Sequence, residues 1–328
     1  MAVARAAPMR RISALLLALT SASALVVPRN KALAPRNKAL APRRTVAPPR
    51  RLAPVAALPG VAAATLPTCL GFWKGGYAVS YGYGGAMAAA GALALQAGAA
   101  GVGAAHAAAL LFYGARLNLF LLYRELFLPV SIHQMKPRPA SLAQRLKRAP
   151  VVVGCSLLYY CMAAPLKLTA NCVEPTGGVG AAVAVAWFGF ALGAVGDVYK
   201  SAAKAVRGAD ALVTGGPFAL LRHPNYTGEM IGWAGSAAAG VLAVGGALRA
   251  NAVWTAVSLV GLVGIFNVLA GEATAGLERK QRAKYGASPE YQAWVKRTWA
   301  GPSFGAPPAP VDKFERVAWS GTCYPSRA

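Results

Sequence analysis

Acidic residues are scarce in this chain. Its 328 residues hold ten Asp and Glu against 34 Lys and Arg, a formal net charge of +24, and no acid precedes Glu125. Charged residues of both signs amount to 13%, about half the share of a soluble domain, while 56% are hydrophobic and the mean hydropathy is +0.44. Histidine is rarer still, with three in the whole chain. The five cysteines (Cys69, Cys155, Cys161, Cys172 and Cys323) show no CxxC or other metal spacing. With the histidines far apart, no His/Cys zinc cluster is visible. Gly-x-Ser-x-Gly, P-loop and Gly-x-Gly-x-x-Gly motifs are all missing, so serine-hydrolase, nucleotide-hydrolysing and Rossmann chemistry lack support. The length allows two soluble domains, but the apolar runs argue for one membrane domain behind a leader.

The surplus of positive charge invites a nucleic-acid reading, which its distribution opposes. Residues 1–58 carry eleven of the basic residues and no acid. Most of the others lie in loops on one side of the apolar runs, as the positive-inside rule expects of a membrane protein. Membrane lipid, not nucleic acid, is the expected partner.

Residues 1–58 read as a cleavable leader, residues 59–300 as the membrane domain and residues 301–328 as a loose tail rich in Pro and Gly. In the leader, Arg10 and Arg11 precede an apolar stretch from Ile12 to Val27, too short for a comfortable span. A tandem heptad follows, Pro-Arg-Asn-Lys-Ala-Leu-Ala at 28–34 and again at 35–41. The segment is basic, acid-free and rich in proline, which predicts disorder. A signal-like stretch followed by an acid-free Arg/Ala/Pro-rich one resembles the two-part plastid-targeting leaders of algae with secondary plastids. That resemblance implies a plastid membrane, with the endoplasmic reticulum as the second address.

Six apolar runs approach the length of about 20 residues that crosses a bilayer: 77–97, 101–123, 150–170, 177–199, 229–246 and 252–270. The expected fold class is all-α, a polytopic integral membrane protein of about six transmembrane helices with a C-terminal amphipathic segment. Segments 124–148, 200–227 and 279–297 hold six, four and six basic residues, while the opposing connections offer only Lys167 and Arg249. Six spans put the three basic segments on one face. Beyond the last span, Glu272 to Thr298 is charged and amphipathic. Leu277, Ala283, Tyr291 and Trp294 are expected either to lie on the membrane surface or to form a lid over a site.

The most informative stretch is Arg222-His223-Pro224-Asn225-Tyr226-Thr227-Gly228-Glu229. Ionisable residues at the mouth of a span are expensive to place and usually functional. Pro224 holds His223 extended and opens the following helix, with Glu229 a turn inside. The octet reads as a polar loop feeding a span, a place to bind a charged cofactor.

From Gly215 the chain runs Gly-Gly-Pro-Phe-Ala-Leu-Leu-Arg-His-Pro-Asn-Tyr-Thr-Gly-Glu-Met-Ile-Gly-Trp-Ala-Gly. This resembles the C-terminal domain of the steroid 5α-reductase family, and the Arg-His-Pro-Asn-Tyr form is closer to the sterol C14-reductases and a plant and bacterial reductase-like branch. Asp197 followed by Lys200 and Lys204 resembles the Asp and basic residues that hold the NADPH phosphates there. The stretch Glu278-Arg-Lys-Gln-Arg-Ala-Lys-Tyr-Gly, with the run from Pro289 to Thr298, resembles that branch's C-terminal signature. Tyr113-Gly-Ala-Arg116 resembles the His-Tyr-x-x-Arg whose tyrosine polarises the substrate carbonyl, although Phe112 stands in place of the histidine. The glutamate that partners that tyrosine in the family's first spans has no counterpart here. The resemblance implies an NADPH-dependent reductase of a C=C bond in a lipophilic enone-like substrate, with Tyr113, Tyr226 and Glu229 as the catalytic candidates. Asp197, Lys200, Lys204, Arg222, His223, Asn225, Tyr226 and Glu229 are the cofactor candidates. Integral-membrane methyltransferases of the isoprenylcysteine and phospholipid type share Arg-His-Pro-x-Tyr-x-Gly and use S-adenosylmethionine. They also carry an adjacent Glu pair, whereas this chain separates Glu272 from Glu278. No metal site is expected in either case.

Overall fold

A computed structural model describes residues 58–127, 140–170, 172 and 177–302. The leader up to residue 57 and the tail from 303 lie outside the described residues. Ten helices carry the architecture: α1 Leu58–Thr68, α2 Tyr81–Gln96, α3 Gly101–Phe127, α4 Ala149–Ala163, α5 Pro165–Ala170, α6 Gly177–Arg207, α7 Pro224–Val244, α8 Leu248–Phe266, α9 Ala275–Tyr285 and α10 Pro289–Arg297. Short helical turns, Leu70–Trp73 and Gly75–Val79, link α1 to α2. A π-helical stretch, Asn267–Thr274, joins α8 to α9. Among the described residues the extended structure is one parallel bridge between Leu221 and Trp299. The protein is all-α.

Four helical segments are long and apolar enough to cross a bilayer: Gly101–Phe127, Leu142–Ala170, Gly177–Arg207 and Leu248–Tyr285. They correspond to the second, third, fourth and sixth expected runs. The other two fall short for separate reasons. Ser80 interrupts the first, leaving α2 with 16 residues. Helix α7 has 21 residues, but Glu229 and a series of glycines dilute its apolar character. Helix α1 is an element the sequence reading did not anticipate. It packs on α2 and α4 and ties to α4 through Thr68 Oγ1 and Ser156 Oγ, 2.5 Å apart.

The interior is mostly apolar, but so is much of the surface, and several polar groups are buried as well. Val153, Leu157, Phe188, Val195, Val253 and Val260 face outward, whereas His106, Arg116, Asn225, Glu229 and Ser236 are buried. Outward apolar side chains suit lipid, and buried polar groups with partners suit the interior of a membrane bundle. The protein is a polytopic membrane protein. In lipid, apolar burial gives helices little reason to associate, so close packing of small residues does that work. The α6–α7 contact is built this way. A Cβ on Gly228 would collide with the backbone of Gly189 and Gly193, and one on Gly232 with the ring of Phe190. Gly84 of α2 and Gly114 of α3 meet similarly. A Cβ on Gly193 would sit 3.1 Å from Arg116 Nη2 and 3.2 Å from the Asn225 carbonyl. The bare backbone there leaves the guanidinium its room.

The C-terminal amphipathic segment turns part of its apolar face onto protein. Trp294 is fully buried and donates from Nε1 to the Phe218 carbonyl at 2.6 Å; Tyr291, Val213 and Phe218 complete a small separate core. Helices α9 and α10 therefore cap the 208–222 loop. The apolar face expected to touch lipid has a protein partner, because the Gly215–Gly216 turn brings Phe218 beneath it. Lys284 and Tyr285 fasten α9 to Asp210, by an ion pair and by a 2.8 Å bond to the Asp210 carbonyl.

Candidate active site

Two polar clusters occupy the described bundle near its basic end. The deeper one centres on Glu229 in the second turn of α7. Its Oε2 accepts from Tyr113 Oη of α3 at 2.8 Å and from Tyr83 Oη of α2 at 3.4 Å. Trp233, one turn further along α7, donates from Nε1 to Tyr83 Oη at 2.6 Å. Phe190 of α6 packs against Tyr113 and Trp233. The rings exclude water and hold both phenols against one carboxyl group, so each hydroxyl–carboxyl bond is stronger than it would be in solvent.

One turn along α3 from Tyr113, Arg116 places its guanidinium carbon 5.2 Å from the Tyr113 ring centroid. Its Nη1 donates to Asp197 Oδ2 of α6 at 2.7 Å, while the buried Nε and Nη2 have no partner. An arginine buried here is tolerable because Asp197 neutralises it. Lys200, a turn beyond Asp197, feels the charges of Lys204, Asp197 and Arg124. Tyr226 lies in the field of Glu229, Asp197 and Arg124, and the Asn225 backbone packs on Gly196. Lys204 donates to the Ala209 carbonyl at 2.7 Å and closes the end of α6.

The second cluster gathers around Glu278 of α9. Its Oε1 receives Arg222 Nε at 2.9 Å and His223 Nε2 at 2.6 Å. Arg222 Nη1 also donates to the carbonyls of Val295 and Thr298. Burial pushes the His223 imidazole below its ordinary range, with the Glu278 hydrogen bond pulling the other way. His223 Nδ1 is buried without a partner.

Tyr113, Asp197, Asn225, Tyr226 and Glu229 thus share one site, with Lys200 at its basic edge. Arg222 is set apart: Nε and Nη1 are committed to strapping the C-terminal cap, so they are not directed at a ligand. The sequence reading passed over Tyr83, Trp233 and Glu278 as site residues. A glutamate in a chain with ten acids is itself a signal, and Glu278 was open to that inference. Tyr83 gave none, lying among Gly and Ala in an apolar run.

Residues 79–298 match a family described as a protein of unknown function, DUF1295. The chain belongs to the DUF1295 family. Both clusters fall inside the matched span, from Tyr83 to Thr298, and α1 falls outside it. No curated protein and no solved structure matches the chain. The geometry must therefore carry the functional reading of this DUF1295 chain. A small cavity, with room for about one water molecule, adjoins Trp233 and is lined also by Met162, Ser258, Leu262 and Ile265. Groups of His, Cys, Asp and Glu able to hold a metal are missing among the described residues.

Proposed function

We propose that this DUF1295 protein is a membrane oxidoreductase that uses NADPH to reduce a C=C bond of a lipophilic enone-like lipid, as the steroid-reductase resemblance implies. The observation that carries the reading is the buried Tyr113–Glu229 pair at 2.8 Å, beside an arginine with unspent donors. The reductase family pairs its tyrosine with a glutamate from its first spans. Here no acid precedes Glu125, and α7 supplies the carboxyl group instead. Arg116 Nε and Nη2 fit a polar or anionic group, and Lys200 with Lys204 fits phosphate charge at the basic end. Asp197 and Asn225 offer hydrogen bonds to sugar or amide.

When bound, NADPH supplies a hydride to one carbon of the conjugated C=C and leaves as NADP⁺, the other carbon taking a proton. Tyr113 hydrogen-bonds to the substrate carbonyl, stabilises the charge that develops there and gives its hydroxyl proton to the enolate; the oxygen loses that proton again as the α-carbon takes one, so that one hydride and one proton are added overall. Glu229 in its protonated form reverses the observed bond: its O–H faces Tyr113 Oη, which frees the phenol proton for the substrate and replaces it afterwards. Tyr83, held by Trp233, fixes the orientation of the Glu229 carboxyl. Phe190 and Trp233 wall the site from water.

Six crossings remain the best count of spans. Tyr77, in the Gly75–Val79 turn, and Tyr81, the first residue of α2, donate to Glu125 at the end of α3, at 3.1 and 2.7 Å. Glu278, after α8, meets Arg222 and His223, before α7. If α3 and α8 cross, α2 and α7 must cross back to bring these partners level. A plastid membrane is the proposed location, resting on the leader alone.

One observation favours a second reading. Glu278 reaches the Arg-His of the octet, so one acid meets the motif in space although the adjacent Glu pair of the methyltransferases is missing. Binding decides between them. Purified full-length protein in detergent is titrated with NADPH and with S-adenosylmethionine. The reductase reading expects NADPH binding that Lys200→Ala weakens about tenfold, as loss of a charge-assisted contact does, and that Tyr113→Phe leaves intact. Reduction should then fall about 10²-fold or more in Tyr113→Phe. Binding of S-adenosylmethionine with no response to NADPH overturns it.

A further inference from the structure

The Glu278 cluster has a feature that strapping the cap does not explain. Glu278 Oε1 lies 2.6 Å from His223 Nε2 and 2.9 Å from Arg222 Nε. An ionised carboxylate only accepts hydrogen bonds, so the imidazole proton belongs on Nε2. Nδ1 then carries a lone pair, and in a side chain 1% exposed it finds no donor. Folded proteins rarely leave such a buried group unmatched.

The charges in this cluster are already spent. Glu278 is matched by Arg222, and Arg222 also serves the carbonyls of Val295 and Thr298. What is left is the Nδ1 lone pair, which suits a neutral group with an N–H or O–H to donate. We propose that Glu278 is a positioning residue that fixes the His223 tautomer, so that Nδ1 receives a neutral hydrogen-bond donor on the polar part of the bound cofactor. The identity of the ligand rests on the reductase reading; the tautomer does not. On that reading the donor is the cofactor's carboxamide N–H or a sugar hydroxyl.

The test uses full-length protein with ¹⁵N-labelled imidazoles, in detergent. The chain has three histidines, and His223→Gln identifies the resonances of His223 by their loss. The expected spectrum has a protonated Nε2 and an unprotonated Nδ1, with the Nδ1 resonance moving upfield at saturating NADPH. The same movement with 2′-phospho-ADP-ribose, which lacks the carboxamide, assigns the donor to a sugar; no movement with it assigns the carboxamide. In Glu278→Gln the Nδ1–H tautomer should appear and NADPH affinity fall about tenfold, the consequence of one buried hydrogen bond losing its partner. A wild-type Nδ1–H tautomer, or tautomers unchanged in Glu278→Gln, overturns the positioning role. An Nδ1 resonance that stays fixed while tryptophan fluorescence reports bound NADPH overturns the subsite alone. If NADPH fails to bind at all, the reductase reading and its subsite fall, and the tautomer comparison still decides what Glu278 does.

Discussion

Glu229 and His223 are six residues apart yet serve different clusters, because helical geometry turns one into the bundle core and leaves the other at the cap. The octet marked both as functional, and local sequence could do no more than that. Their partners arrive from α2, α3 and α9, up to 146 residues away in the case of Tyr83 and Glu229. A tyrosine among Gly and Ala has no periodic or charge signature, so Tyr83 was illegible. For Arg222 the sequence is silent in a related way: whether a loop arginine has its donors free or straps the chain depends on whether an acid folds over it, as Glu278 does. The His223 environment has a consequence for pH. Burial holds its imidazole below the ordinary value of about 6.5, against the pull of Glu278 and with Lys200 and Arg222 adding to the depression. As pH falls below about 6.5 the unfolded chain takes up a proton that the folded chain resists, so the folded state loses stability. Above that value neither state binds the proton, and His223 contributes no slope. Thermal unfolding in detergent between pH 7.5 and 5 should show a midpoint falling with acid. His223→Asn should flatten that part of the curve, and an equal slope in both proteins would assign the acid sensitivity elsewhere.

Helices were the most legible level, since long apolar runs bounded by Gly, Pro and basic residues leave few alternatives. The ends of α3 and α6 extend past the apolar runs, to Phe127 and Arg207, because nothing in those polar extensions breaks a helix. Helix α1 was missed since its Leu-Pro and Pro-Thr steps resemble the leader before it. The π-helical stretch at Asn267–Thr274 leaves no trace in composition. The glycines of α6 and α7 were readable as small residues, but only the structure separates those in contact from those facing lipid. That separation predicts opposite outcomes on one helix. Gly189→Ala drives a Cβ into the Gly232 backbone, which cannot move aside without parting α6 from α7. Overpacking of this kind costs about 1–3 kcal/mol. Gly180→Ala has nothing within 4 Å of its new Cβ and should be neutral or stabilising by up to about 1 kcal/mol, through reduced chain entropy. Relative thermal stability of the two variants in detergent checks this. Equal midpoints would mean that the α6–α7 approach is looser than described.

For the whole molecule, charge and contacts bear separately on topology. Sixteen basic residues in three segments oppose Lys167 and Arg249, which the positive-inside rule turns into one inner face. The clamps are independent of that rule: Arg148 Nη1 donates to the Phe72 and Trp73 carbonyls, Glu125 receives Tyr77 and Tyr81, and Lys284 pairs with Asp210. Each joins segments that the charge count places on the same side. None of the three is legible in sequence, since the acids and tyrosines involved look like ordinary loop residues. The decisive segment is α7, too diluted by Glu229 to qualify as a span by composition. Helices α7 and α8 together must return the chain to the side where Glu278 meets His223, so the proposal that α8 crosses carries with it the proposal that α7 crosses as well. Arg249, just past the turn after α7, should therefore lie opposite Arg207 at the end of α6. In sealed vesicles of one orientation, a membrane-impermeant maleimide should modify either Arg207→Cys or Arg249→Cys, never both, with the modified peptide identified by mass. Reversing the vesicles should exchange the two. Modification of both from one side would leave α7 as a helix that enters and returns, and the Tyr113–Glu229 pair would then sit in a cavity open to water rather than at depth in the bilayer.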